Sequence, residues 1–98
     1  MKVITSSEEL QQLLFETWTW WYPKWVVKNF QLKVALLEAC QNSTEMYKLT
    51  TLRVHKLQWK KDEILAITLT YNYRLEIKML QDWVIEIIEL IRISNHYQ

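Results

Sequence analysis

The chain of 98 residues contains no glycine. About seven are expected on average at this length, so the absence constrains every turn the chain makes. Backbone positions with positive φ are expected to fall to asparagine or aspartate, or to be avoided altogether. The absence also removes each motif built on a glycine loop: the P-loop, the dinucleotide fingerprint and the nucleophile elbow. Kinase, dehydrogenase and hydrolase chemistries of those kinds are excluded with them.

Core material is plentiful. Half the residues are hydrophobic and 13% are aromatic, too apolar a composition for disorder. The length suits one modest domain spanning 1–98, which buries about 60–70% of the surface its unfolded chain exposes. No apolar run approaches the ~20 residues that span a bilayer. The opening MKVITSSEEL lacks the apolar stretch of a secretion signal. The expected location is therefore the cytoplasm, with no membrane partner. Cys40 is the single cysteine, so no internal disulfide forms, and no Cys/His spacing suggests a metal site.

Twelve basic against eleven acidic residues give a net charge of +1, which argues against a strong sequence-independent grip on nucleic acid. The balance is uneven. Arg53, Lys56, Lys60 and Lys61 lie in one stretch without an acidic residue. A solvated strand edge accounts for such a run. The functional reading is a short phosphate-facing strip in which Trp59 stacks on a base.

Hydrophobic spacing divides the chain. Ser6-x-x-Glu9 has the spacing of a capping box, and Leu10, Leu13, Leu14 and Trp18 follow at helical intervals. Pro23 closes that helix and opens the next. Val26, Phe30, Val34 and Leu37 form a second apolar stripe running to about Cys40, with Asn42-Ser43-Thr44 as a connector. After about Thr50 the period changes to two. Leu65, Ile67, Leu69 and Tyr71 alternate with Ala66, Thr68 and Thr70; Tyr73, Leu75, Ile77 and Met79 alternate with Arg74, Glu76 and Lys78. Gln81-Asp82 is a candidate turn. The segment Trp83 to Ile93 fits either a helix or a strand, and its isoleucine density favours the strand. The expected fold is α+β, with two N-terminal helices packed on one face of a three- to four-stranded antiparallel sheet made from residues 52–93.

Trp18, Trp20, Trp21 and Trp25 cluster around the turn between the two helices. Packing of the helices onto the sheet accounts for most such clusters. Three of them, Trp18, Trp20 and Trp21, do not fit one helix face, so at least one is expected in solvent as a partner-binding candidate. Only two histidines exist, His55 and His96. Alternation turns His55 away from the core with Arg53, and Arg74 likewise opposes the inward Tyr73, Leu75 and Ile77. Spacing alone leaves them as surface residues.

In order, Leu52-Arg53-Val54-His55-Lys56-Leu57, then Ile67-Thr68-Leu69-Thr70-Tyr71-Asn72-Tyr73-Arg74-Leu75, then Ile91-Arg92-Ile93-Ser94-Asn95-His96 resemble the RelE/ParE superfamily. The nearest look is to the YafQ-like and HigB-like ribonuclease toxins of bacterial type II toxin–antitoxin pairs. The resemblance covers the second half; in the first it rests on two helices and the proline between them. It implies His55, Arg74 and His96 as catalytic residues, with Arg53, Lys56, Trp59, Lys60 and Lys61 on the RNA. Metal-free RNA cleavage needs a base at the ribose 2′-OH, a cation on the phosphorane-like charge and an acid for the leaving oxygen. Two imidazoles and a guanidinium supply all three, and no cofactor is needed. The implied partners are a cognate antitoxin protein and, for an active member, mRNA on the ribosome. The chain departs from the family at Gln58-Trp59, at Thr68 where some members carry a histidine, and after His96, where no acidic residue follows. With its near-neutral charge, these departures keep a second reading open: a catalytically degenerate or ParE-like toxin acting by protein binding alone.

Overall fold

The computed structural model describes residues 1–16, 21–57, 64–82 and 85–95. The elements run β1 (Lys2–Ile4), α1 (Glu8–Leu13), α2 (Lys24–Ala39), α3 (Ser43–Lys48), β2 (His55–Lys56), β3 (Leu65–Thr68), β4 (Tyr73–Asp82) and β5 (Ile85–Asn95). They form a five-stranded sheet in the order β1-β5-β4-β3-β2. Strands β2 to β5 are antiparallel to their neighbours, while β1 runs parallel to β5. The α+β class is as the sequence implies. The sheet gains one strand at its edge, and a short third helix joins the other two.

Each element has a local cause. The α1 N-cap is Ser7, whose hydroxyl accepts from the Leu10 amide, so the cap lies one residue beyond the Ser6-x-x-Glu9 box read from the sequence. Pro23 caps α2, its φ of −59° already suited to a helix start. The apolar positions of α2 fall on the expected stripe, with Val26, Val27, Phe30, Val34 and Leu37 buried. The expected connector at Asn42 instead starts α3. Asn42 Oδ1 accepts from the Glu45 amide at 3.0 Å, while Glu45 Oε1 accepts from the Gln41 amide at 2.8 Å. This reciprocal exchange satisfies donors a helix start leaves orphaned.

The main core lies between the helices and one sheet face. Leu10, Leu13, Phe30, Leu37 and Met46 from the helices meet Ile67, Leu75, Ile77, Ile88 and Leu90 from the strands. Gln81 and Asp82, read as a turn, belong to β4 and pair with Glu86 and Ile85. The ambiguous segment is a strand over its described residues, as its isoleucines favour. Thr5 ties the edge strand down, its hydroxyl donating to the Leu90 carbonyl at 2.8 Å. Among the described residues no helix is long and apolar enough to cross a membrane.

A polar latch joins α3 to β5. The Ser43 amide and hydroxyl donate to the two Glu86 carboxylate oxygens at 2.8 and 2.7 Å. Those bonds, the backbone one first, hold the Glu86 carboxyl below its ordinary range. The folded state therefore binds this proton less readily than the unfolded one. The latch's contribution is complete above the ordinary carboxylate range and is lost as pH falls through the folded value. Glu86→Gln is expected to lose about 1 kcal/mol near neutral pH, partly screened because the pair is not deeply buried. Urea titrations should show the gap to the parent closing as pH falls below about 4.3.

Candidate functional site

The helices pack on one sheet face, and the opposite face carries the candidate chemistry. Cross-strand register places His55 beside Ala66, Ala66 beside Glu76, and Glu76 beside Arg92. The next row along the strands is Thr68, Arg74 and Ser94. With strands about 4.8 Å apart, His55 and Glu76 stand about 10 Å from each other across the sheet. Arg74 and His55 thus share a face, two strands apart and in neighbouring rows. His96 lies outside the described residues.

This face is not wholly polar. Leu57, Ile64 and Ala66 form a small second core with Ile91 packed against it. A bulge between Glu76 and Ile77 places Ile77 opposite Leu90 and Glu76 opposite Arg92, which leaves Ile91 as the extra residue of β5. The bulge lets Ile91 join the small core while its neighbour Arg92 meets Glu76.

Glu76 is the one buried charged side chain among the described residues, only 2% exposed. Its Oε1 accepts from Arg92 Nε at 2.9 Å, and its Oε2 lies 4.0 Å from Arg74 Nε. Arg74 Nε also donates to Ser94 Oγ at 3.1 Å. A carboxylate taken out of water is costly unless paired, and two guanidiniums provide the pairing. Sequence reading singled out Arg74 but neither Glu76 nor Arg92. Alternation places Glu76 outward, and only the register reveals the opposed charges across the strands.

His55 is exposed, and its Nδ1 lies 2.9 Å from the Arg53 carbonyl oxygen. A carbonyl only accepts, so Nδ1 is the donor in this contact. Arg53 itself has φ of 49°, the one positive φ among the described residues. The left-handed position in a glycine-free chain therefore falls to arginine, not to the asparagine or aspartate expected. That conformation costs an L-residue about 1–2 kcal/mol. Arg53→Asn is expected to raise stability by about 0.5–1 kcal/mol, since asparagine tolerates this region. A shift of the urea midpoint reads it, and a loss would contradict the backbone account.

The left-handed turn also ends the alternation, so Arg53 does not share the His55 face. Its charge acts instead on Lys33 of α2, whose ammonium donates to the Thr51 carbonyl; burial first and the Arg53 charge second lower the Lys33 pKa. Lys56 pairs with the core-facing Leu65 and so takes the side of β2 opposite His55. Trp59, Lys60 and Lys61 lie outside the described residues, as do Trp18 and Trp20. Trp25 is 71% exposed on α2 and Trp21 is also exposed. Leu32, seven residues beyond Trp25, is exposed on the same helix side. Among the described residues no three His, Cys, Asp or Glu side chains gather as a metal site would require.

A solved structure, a YoeB/ParE toxin from Agrobacterium tumefaciens, aligns with 99% of this chain and 100% of its own at a TM-score of 0.61. The chain has the fold of a YoeB/ParE toxin. Sequence identity is 14%, so the likeness is one of backbone path. No protein-family model and no curated protein matches the sequence.

Proposed function

We propose that this chain is the toxin of a toxin–antitoxin pair and an endoribonuclease, acting on mRNA at the ribosome in the cytoplasm. The observation that carries the reading is the exposed imidazole of His55, its Nδ1 donating to the Arg53 carbonyl, on the sheet face that also holds Arg74. In this reading Nε2 of His55 takes the proton from a ribose 2′-OH. The 2′-oxygen attacks phosphorus, and the bond from phosphorus to the 5′-oxygen breaks. His96 gives a proton to that leaving oxygen, and the products are a 2′,3′-cyclic phosphate and a 5′-hydroxyl. Arg74 meets the charge that builds on the phosphoryl oxygens. The mechanism calls for no metal or organic cofactor. The order of motifs resembles the YafQ-like and HigB-like members, and the fold likeness to a YoeB/ParE toxin supports the same assignment.

The antitoxin is proposed to cover the outer side of α2, where Trp25 and Leu32 are exposed, together with Trp21 just before it. Aromatic anchors of this kind dominate protein interfaces. In the active reading, Arg53, Lys56, Trp59, Lys60 and Lys61 guide the RNA, although Arg53 and Lys56 leave the His55 face and their contribution is to flanking backbone. The charge of +1 favours one alternative, a ParE-like toxin that acts by protein binding without cutting RNA. Induced expression in a bacterial host, with transcript ends mapped, separates the two. The nuclease reading expects growth arrest with new transcript ends, both lost in His55→Ala. Arrest that persists in His55→Ala and Arg74→Ala with intact transcripts supports the alternative. Unaffected growth and transcripts in the presence of folded protein contradict both.

A further inference from the structure

Beyond the acid–base pair, a buried carboxylate on the same sheet face has no part in the proposed catalysis. We infer that Glu76 is a positioning residue that aims Arg92 and Arg74, as a pair, at the phosphodiester backbone of a single RNA strand. The inference rests on the ribonuclease reading above.

Four observations carry it. Glu76 is 2% exposed, yet both of its oxygens face guanidiniums, at 2.9 Å for Arg92 and 4.0 Å for Arg74. The Arg92 bond is made through Nε while 54% of that side chain stays exposed, against 16% for Arg74. Arg74 is braced a second time by Ser94 Oγ at 3.1 Å, which limits its rotamers. Arg74 and Arg92 are diagonal neighbours across β4 and β5, about 7 Å apart at their bases, a separation on the scale of successive phosphates along one strand. Planar guanidiniums held in place suit phosphate oxygens better than mobile lysines do. The bulge at Glu76/Ile77 sets this geometry by bringing Arg92 opposite Glu76.

The test is binding of a 2′-O-methyl oligoribonucleotide, which offers phosphates but no attacking hydroxyl, followed by fluorescence anisotropy across a salt series. Glu76→Gln is the informative variant because it makes the protein more positive by one. A purely electrostatic or scaffolding role predicts equal or tighter binding. The positioning role predicts binding weaker by about 5-fold or more, with the loss reproduced by Arg92→Ala together with a smaller salt slope. Arg92→Lys, which keeps the charge and loses the planar fork, should not restore the parent's affinity. If Glu76→Gln fails to fold, Arg92→Lys decides alone. Parental affinity in a folded Glu76→Gln or in Arg92→Lys overturns the inference and leaves the ribonuclease reading standing. A parent that binds no oligoribonucleotide, or from which polyglutamate displaces it equally well, overturns the inference, while the mapping of transcript ends decides the ribonuclease reading separately.

Discussion

Replacing Arg74 and Arg92 together by alanine is expected to cost about 3–5 kcal/mol of folding stability, the range for breaking a buried ion pair from one side. The double change strips Glu76 of both guanidiniums while its carboxylate stays out of water. Arg92→Ala alone should cost less, because Arg74 remains beside the carboxylate. Domains of this size are stable by only about 5–15 kcal/mol, so the double variant sits near the edge of folding. Adding Glu76→Leu to it should recover much of the loss, since apolar replacements of buried ion pairs are often neutral or stabilising. Urea denaturation of the four proteins reads all of this. A loss under about 1 kcal/mol for the double variant would show that Glu76 does not depend on the arginines.

The second large effect falls on activity. His55→Ala is expected to slow RNA cleavage by about 10²–10⁴-fold, the range for a positioned general base, while stability changes by less than about 0.5 kcal/mol. The separation follows from placement. The imidazole is exposed, and its Nδ1 donates to the Arg53 carbonyl two residues away. No core position depends on it. Single-turnover rates with a ribosome-bound message, beside thermal melting of the same samples, provide both numbers. A variant that cuts as fast as the parent removes His55 from the mechanism and leaves the base to another group.

Much of the fold was legible because long elements average out local accident. Sixteen residues of α2 repeat the apolar spacing several times, and β4 alternates over most of its length. Short elements offer no such averaging. Three residues of β1 have no period to read, and their strand character comes from pairing with β5 at the far end of the chain. Six residues of α3 were hidden behind Asn42, whose polar side chain reads equally as a turn or as a cap. At the site, alternation alone places His55 and Arg74 on the face away from the helices. It did not show that Glu76 is buried, because that depends on a bulge one strand away and on the small core of Leu57, Ile64 and Ala66. The left-handed Arg53 was illegible for a related reason. Tertiary context at the junction of α3 and β2, not residue preference, sets that φ.

The most direct test of the account is the chemistry of the ends left on RNA cut by the purified protein in metal-free buffer with translating ribosomes. Attack by the 2′-oxygen predicts fragments with 2′,3′-cyclic phosphate or its opened monophosphate on one side and a 5′-hydroxyl on the other. A 5′-hydroxyl accepts labelled phosphate from a polynucleotide kinase directly, so the assignment needs no prior phosphatase step. Fragments bearing 5′-phosphate ends, or intact message in the presence of folded protein, would contradict it.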